Sequence, residues 1–466
     1  MPGEYEASHG FDEAVSPDGL ARPGYGDLMA SVAAAGPADL LARVSAELEA
    51  RGVTFGGTEH PERFLVDPVP RVIDREQWAL LESGLIQRVR ALNAFVADVY
   101  SQRAICHAGV VPEAAITSAD YLEPAMSGVV VTGGAHIGVA GLDVVRDPEG
   151  EFLVLEDNLR TPSGLAYAWA ARETVAGCVP GGPPPGLRPV SDGFGMMHRT
   201  LRSAAPDGIE EPEIVVLSDG PVNGAWWEHR AISEQLGVAV VTVEDLLLRG
   251  GRLHRRTDRG PRPVHVVYRR CDEDRLVDDR GAQTALGELL LGPLQAGTVG
   301  VVNAFGTGVA DDKLLHAYVE DMVRFYLGQE PLLRSVPTHD LGRDELREEL
   351  LGRIAELVVK PRTGHGGRGV FVGPHAQPRD RERMAQEIRR DPGGYIAQEM
   401  VILSCHPTVV ENELAPRHVD LRPFVYTAGD ETSVLAGGLT RVALERGDTV
   451  VNFSQQGGGK DTWVLA

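Results

Sequence analysis

Between positions 74 and 100, apolar residues recur at three- and four-residue steps: Trp78, Leu81, Leu85, Val89, Leu92 and Val96. This period predicts one long amphipathic helix whose stripe packs into a core. A second, alanine-rich helical pattern runs over 26–51, and residues 1–26 read as a polar arm with no clear period. Residues 1–120 thus have a mainly helical character.

Beyond 120 the pattern shortens. Apolar runs at 128–135, 138–145 and 151–156 predict strands. The last two are joined at 146–150, where Asp147-Pro148 followed by Gly150 is strong turn chemistry. The Pro- and Gly-rich stretch 179–186 predicts a loop or lid. A run at 214–217, a helix ending near Leu236 and a run at 238–243 form a strand–helix–strand unit, which implies a parallel sheet. A further strand is expected at 265–268, a helix over about 312–327, and strands at 356–360 and 370–372. The fold class is α/β (α+β), with no internal repeat.

Composition narrows the function. Over 466 residues, 43% hydrophobic content is ample for large cores. With 45 Lys and Arg against 67 Asp and Glu, the net charge is -22. That balance argues against nucleic acid as partner, because backbone binding needs concentrated cations. No run is apolar enough to span a bilayer, and the acidic start lacks a secretory layout, so a cytoplasmic protein without a membrane partner is expected. Cys106, Cys178, Cys271 and Cys405 are far apart and form no metal pattern, so reduced thiols are expected.

Two segments carry chemistry. In the first, a β run ends at Lys360, and a loop with Gly364, Gly366, Gly367 and Gly369 leads into a second run at Val370. Glycines let backbone N–H groups approach phosphate oxygens, and a lysine adds a point charge. A flexible hairpin tip is the plain alternative. In the second, Glu156 and Asn158 are two residues apart on one strand face, and a hairpin partner can bring Asp143 beside them. Oxygen ligands of this kind suit Mg²⁺, which binds through few carboxylates plus substrate phosphates. An ordinary acidic turn is the alternative. Arg160 can hold a phosphate or carboxylate.

These segments, with Gln87-Arg-Val-Arg-Ala-Leu-Asn93, Leu155–Gly164, Val267-Tyr-Arg-Arg270, Gly306–Lys313, His418–Pro423, Gly438-Leu-Thr-Arg441 and Gln456–Trp463, resemble the circularly permuted branch of the ATP-grasp superfamily. The metal-type residues precede the lysines and the Gly-rich loop, which is the permuted order. The resemblance implies ATP and Mg²⁺ as cofactors. It implies Asp143, Glu156 and Asn158 as metal ligands, and Lys313 and Lys360 as phosphate-contacting lysines. Gly364, Gly366, Gly367 and Gly369 match the phosphate loop, and Gln398 and Glu399 the hinge at the adenine edge. Asp420 and Arg422 match the strand beside the triphosphate, with Arg160, Arg422 and Arg441 as candidates to stabilise the reacting groups. In related ligases an arginine precedes the first metal aspartate by two residues. Here that place is Gly141, so Arg160 or Arg422 is expected to replace it.

The implied activity is ATP-dependent carboxylate–amine ligation through an acyl phosphate, with ADP and phosphate released. The partners are a small-molecule or peptide carboxylate and an amine acceptor. The implied division is an N-terminal arm and helical region (1–120), a metal-binding part (121–205), a pre-ATP-grasp-like α/β unit (206–300) and an ATP-binding part (301–466). The loop 219–224 with Trp226, Trp227, Glu228 and His229 is a candidate acceptor wall. Packing for both tryptophans and a satisfied surface position for His229 is the plain reading. His365 reads as a lid residue. A small-molecule kinase and a catalytically weak nucleotide-binding regulatory protein are the alternatives. The substrates' identities and the oligomeric state stay open at this point.

Overall fold

The computed structural model describes residues 5, 10–364, 369–445 and 457–465. Its centre is a ten-stranded sheet whose main path runs Arg334–Ser335, Phe152–Asn158, Val139–Arg146, Glu413–Arg422, Leu439–Val442, Gly458–Val464 and Val66–Ile73. The expected hairpin forms its middle. Asp147 Oδ1 accepts from the amides of Glu149 and Glu151 and sets the turn. Asp143 lies opposite Glu156, beside an irregularity in the register.

The long helix is Arg75–Val99, capped by the Asp74 carboxylate, which accepts from Gln77 N at 2.8 Å. Its stripe enters the largest core with Leu142, Val144 and Val154 of the hairpin. The alanine-rich pattern forms two helices, Tyr25–Ala35 and Pro37–Ala50. Gly36, at φ 79°, ends the first, and Pro37 starts the second.

The strand–helix–strand unit is present as expected. Val266–Arg269 and Ala239–Val241 flank Ile214–Leu217 in a parallel sheet, with Trp226–Leu236 as the crossover helix. From the loop after this sheet's last strand, Gly300–Val302, Asn303 clamps the hairpin. Its Oδ1 accepts from Gly138 N and Val139 N at 2.8 Å, and its Nδ2 donates to Val139 O and Leu159 O at 2.6 Å. An antiparallel sheet of Thr338–Asp340, Tyr395–Glu399, Leu357–Pro361 and Phe371–Val372 has its own apolar core against helices Asp344–Gly352 and Pro378–Arg390.

Four expectations need correction. Residues 128–135 form turns rather than a strand, with Gly133 and Gly134 at φ 72° and 77° and Val130 84% exposed. The helix over 312–327 is two, Lys313–His316 and Val319–Leu327. Val66–Ile73 is a strand inside the region read as helical. Pro68 and Pro70 fit there because, among the described residues, the strand ends the sheet path and pairs only with Gly458–Val464. The described part of the arm is docked: Glu13 N donates to Cys405 O, and the buried Glu13 carboxylate meets Arg71 at 2.5 Å. Among the described residues, no helix is long and apolar enough to cross a membrane, and no disulfide joins any of the four cysteines.

Candidate active site

A cavity of about 710 Å³ lies between the central sheet and the smaller antiparallel sheet. Asp143, Glu156, Asn158, Asp420, Arg422 and Arg441 line it from the first, and Lys360, Gln398 and Glu399 from the second. Arg160, Lys313 and Gly364 complete the wall. Gly369 is not among the lining residues: it sits at φ 75°, and a Cβ there would meet Pro361 Cγ at 3.1 Å. Gly366, Gly367 and His365 lie outside the described residues, as does Gln456.

At the centre, two arginines grip two buried carboxylates. Arg422 donates from Nε and Nη2 to Asp143 at 2.8 and 3.0 Å. Arg441 reaches Asp143 at 2.8 Å and donates from Nε to Asp420 at 2.9 Å. Burial pushes both acids up. At Asp143 the two guanidiniums outweigh it and hold the carboxyl low, whereas at Asp420 burial prevails.

The lysines stand on the opposite side. Lys313 Nζ donates to Gly364 O at 2.6 Å and lies 3.3 Å from Glu156. Lys360 donates to Gln398 Oε1 at 2.6 Å. Burial lowers its pKa, Glu156 opposes this, and Lys313 adds to the lowering. Among the described residues, Asn158 Nδ2 is buried without a hydrogen-bond partner. Among the described residues, no three His, Cys, Asp or Glu side chains form a metal cluster, and the grouping here includes an asparagine.

Three further candidates are also engaged within the protein. Arg160 donates to Asp311 at 2.8 Å, lies 3.6 Å from Asp274 and stacks 3.6 Å over the Tyr121 ring. Burial raises Asp311 to about 6 despite this pairing. The Gln398 amide also donates to Thr338 at 2.9 Å, and Glu399 pairs with Arg353 at 3.1 Å and His339 at 3.1 Å.

The cavity continues to Asn223, Gly224 and Ala225, to Cys271 and Asp272, and to Phe55 and Phe64 of the N-terminal region. Burial pushes the Cys271 thiol up to about 12. Loop 219–224 therefore contributes to the wall, while Trp226, Trp227, Glu228 and His229 do not line it. Trp227 packs on Tyr167 at 5.2 Å between ring centroids. Glu228 accepts from Gly164 N and Ala166 N. His229 is buried rather than at the surface, bonded to Ser218 Oγ at 2.8 Å, and burial beside Arg270 lowers it to about 2. The two-residue hairpin that brings Phe55 to the cavity, Thr54–Phe55 with Glu62–Arg63, was not signalled by hydrophobic period, because its strands are too short to alternate. The loop 179–186 contributes no lining residue.

Comparisons with known proteins fit this architecture. The chain is 42% identical over 463 residues to the uncharacterized protein Rv2411c of Mycobacterium tuberculosis, covering 98% of this chain and 84% of that one. It is 43% identical over 468 residues to a Frankia alni protein provisionally named glutamate–cysteine ligase 2-3, covering 98% of this chain but 54% of the relative. The solved structure of a glutathione synthetase-like effector from Globodera pallida, in its apo form, superimposes with a TM-score of 0.58 at 13% identity, over 92% of this chain and 98% of that one. That likeness establishes the fold alone. The family model for circularly permuted ATP-grasp type 2 matches residues 70–443. These residues contain both walls of the cavity, and the chain belongs to the circularly permuted ATP-grasp type 2 family.

Proposed function

We propose that this chain is an ATP-dependent carboxylate–amine ligase that forms an amide through an acyl phosphate and releases ADP and phosphate. One observation carries the reading: two lysines, two arginines and the Asp143–Glu156–Asn158 set meet in a single cavity from segments far apart in sequence. The joining of two anions, a carboxylate and a triphosphate, needs such compensating charge in a water-poor cleft.

In this reading Lys313 and Lys360 hold the phosphates, and the hinge at Gln398 and Glu399 faces the nucleotide base. Arg422 and Arg441, on the Asp143 side, neutralise charge on the transferred phosphoryl group and the substrate carboxylate. Arg160, tied to Asp311 and Asp274, shapes the wall where the acyl group lies. Asp143, Glu156 and Asn158 would hold Mg²⁺. Their hard oxygens suit that ion, and the Asn158 amide, whose nitrogen has no partner among the described residues, is able to turn its oxygen toward a cation. When bound, Mg²⁺ supplies charge neutralisation on the phosphates.

The amine acceptor would enter from the 206–300 unit, past Asn223–Ala225 and Asp272, with Phe55 and Phe64 as an apolar flank. Residues 121–205 supply the metal side and 301–466 the nucleotide side. The name of the Frankia relative fits an amino-acid or peptide carboxylate. Cysteines outside any disulfide, together with ATP use, fit a cytoplasmic protein.

The test is ADP release with Mg-ATP across panels of carboxylates, with and without amines, and with hydroxylamine to trap an acyl phosphate as hydroxamate. Hydroxamate formed along with ADP is expected. A stable phosphorylated product without hydroxamate would instead indicate a kinase. Tight ATP binding without ADP release on any panel would indicate a regulatory nucleotide-binding protein.

A further inference from the structure

The segment 87–93 has no role in the chemistry above, yet its side chains reach the back of the metal-type hairpin. Asp157 lies between Glu156 and Asn158, so its side chain leaves the strand on the opposite face. Its carboxylate is buried there. Arg88 donates from Nε and Nη2 to its two oxygens at 2.7 Å each, and His316 Nδ1 donates to Oδ2 at 2.7 Å. Arg88 also donates to Ser335 Oγ at 3.0 Å.

The three partners come from three elements. Arg88 is on helix Arg75–Val99, Asp157 on strand Phe152–Asn158, and His316 on the short helix Lys313–His316 that begins with Lys313. The same long helix also holds the chain entering the hairpin's other strand. Asn93 donates to Ile137 O at 3.1 Å and accepts from Ile137 N at 2.8 Å, two residues before strand Val139–Arg146. One rigid helix therefore pins both strands that carry the metal-type residues, and through His316 it is joined to the helix of Lys313. None of Arg88, Asp157 and His316 lines the 710 Å³ cavity. Glu156, by contrast, is one-third exposed and pairs with Lys313 at 3.3 Å, so its position depends on how its strand is held.

We propose that Arg88, Asp157 and His316 are positioning residues: they fix Glu156 and Asn158 relative to Lys313, so that cation and triphosphate bind as one unit. The proposal rests on the nucleotide and metal reading of the cavity. Loss of this clamp weakens metal binding in the nucleotide complex and leaves metal-free nucleotide binding in place. A purely structural role would weaken both together.

The test uses the full chain with Mn²⁺ and the non-hydrolysable analogue β,γ-imido-ATP. Electron paramagnetic resonance counts bound Mn²⁺ at saturating nucleotide, and calorimetry in EDTA gives the metal-free nucleotide affinity. For Asp157→Asn and His316→Gln, Mn²⁺ affinity is expected to fall about 10- to 100-fold, as when groups behind a ligand are removed. Metal-free affinity is expected to stay within about twofold, because the lysine contacts remain. Arg88→Lys keeps a cation beside Asp157, gives an intermediate loss, and serves where Asp157→Asn fails to fold. Unchanged Mn²⁺ affinity in the variants overturns the proposal, and so do equal losses with and without metal. Wild-type protein that binds no Mn²⁺–nucleotide overturns the nucleotide reading first, and this proposal with it.

Discussion

Arg422 crosses the open face of Gly141 and ends on Asp143. A Cβ at Gly141 would stand 3.4 Å from Arg422 Cδ and 2.8 Å from Pro162 Cβ, while the guanidinium donates to Asp143 at 2.8 and 3.0 Å. The family resemblance implies an arginine at the place of Gly141. Here the neighbouring strand delivers a cation to the same carboxylate, and the missing side chain makes room for it.

Arg422→Ala is accordingly expected to lower ADP formation by about 10²- to 10³-fold, the scale of losing one preorganised donor to developing charge. Stability should fall by only about 1–3 kcal/mol, because Arg441 still pairs with Asp143. Gly141→Ala should lower stability, because its Cβ would stand 2.8 Å from Pro162 Cβ, whereas it meets the Arg422 stem at an ordinary 3.4 Å. Initial rates with a thermal melt check both, and a wild-type rate in Arg422→Ala contradicts the assignment.

Lys360 separates function from stability. Burial disfavours its charge, so an apolar replacement of similar length relieves a desolvation cost. Lys360→Met should fold with a Tm equal to or above wild type, yet lose ADP formation by at least about 10²-fold. A variant that is active, or that is unfolded, contradicts this.

Glu156 gives a similar contrast from the acidic side. Its ion pair with Lys313 is partly exposed, and such pairs contribute at most about 1 kcal/mol. Glu156→Ala should therefore melt close to wild type while Mg²⁺-dependent ADP formation disappears. The Mg²⁺ dependence of the rate, measured alongside the melt, decides it.

Asp157 predicts an acid limb in stability. Burial raises its pKa, but Arg88 and His316 outweigh this and hold it well below the usual carboxylate range. A carboxyl depressed in the folded state contributes stability above its unfolded value, near 4, and loses it as pH falls through the folded value. Asp157→Asn should be less stable than wild type at pH about 7, and the gap should narrow below pH about 5. Tm against pH for both proteins tests it, and a constant gap contradicts it.

Much of this was legible in the sequence where local rules act alone. The apolar stripe from Trp78 to Val96 specifies one helix, and Asp147-Pro148 with Gly150 specifies the hairpin that sets Asp143 opposite Glu156. The residues around the cavity came from motif resemblance, because their convergence is tertiary. What escaped depends on distant partners. The Pro-containing strand Val66–Ile73 exists because Gly458–Val464 pairs with it. The apolar run at 128–135 finds no strand partner among the described residues and turns at Gly133 and Gly134. The role of Asp157 is invisible locally, since its partners Arg88 and His316 are 69 and 159 positions away. Nor does the sequence show that Arg160 and Glu399 are already paired within the protein.

The central claim is that this cavity binds Mg-ATP through Lys360 and its neighbours. Calorimetry of Mg-ATP binding to wild type and Lys360→Ala, side by side, tests it most directly. The account predicts micromolar-range binding to wild type, about -8 kcal/mol, and its loss in Lys360→Ala. Equal binding to both proteins, or binding to neither, would contradict it.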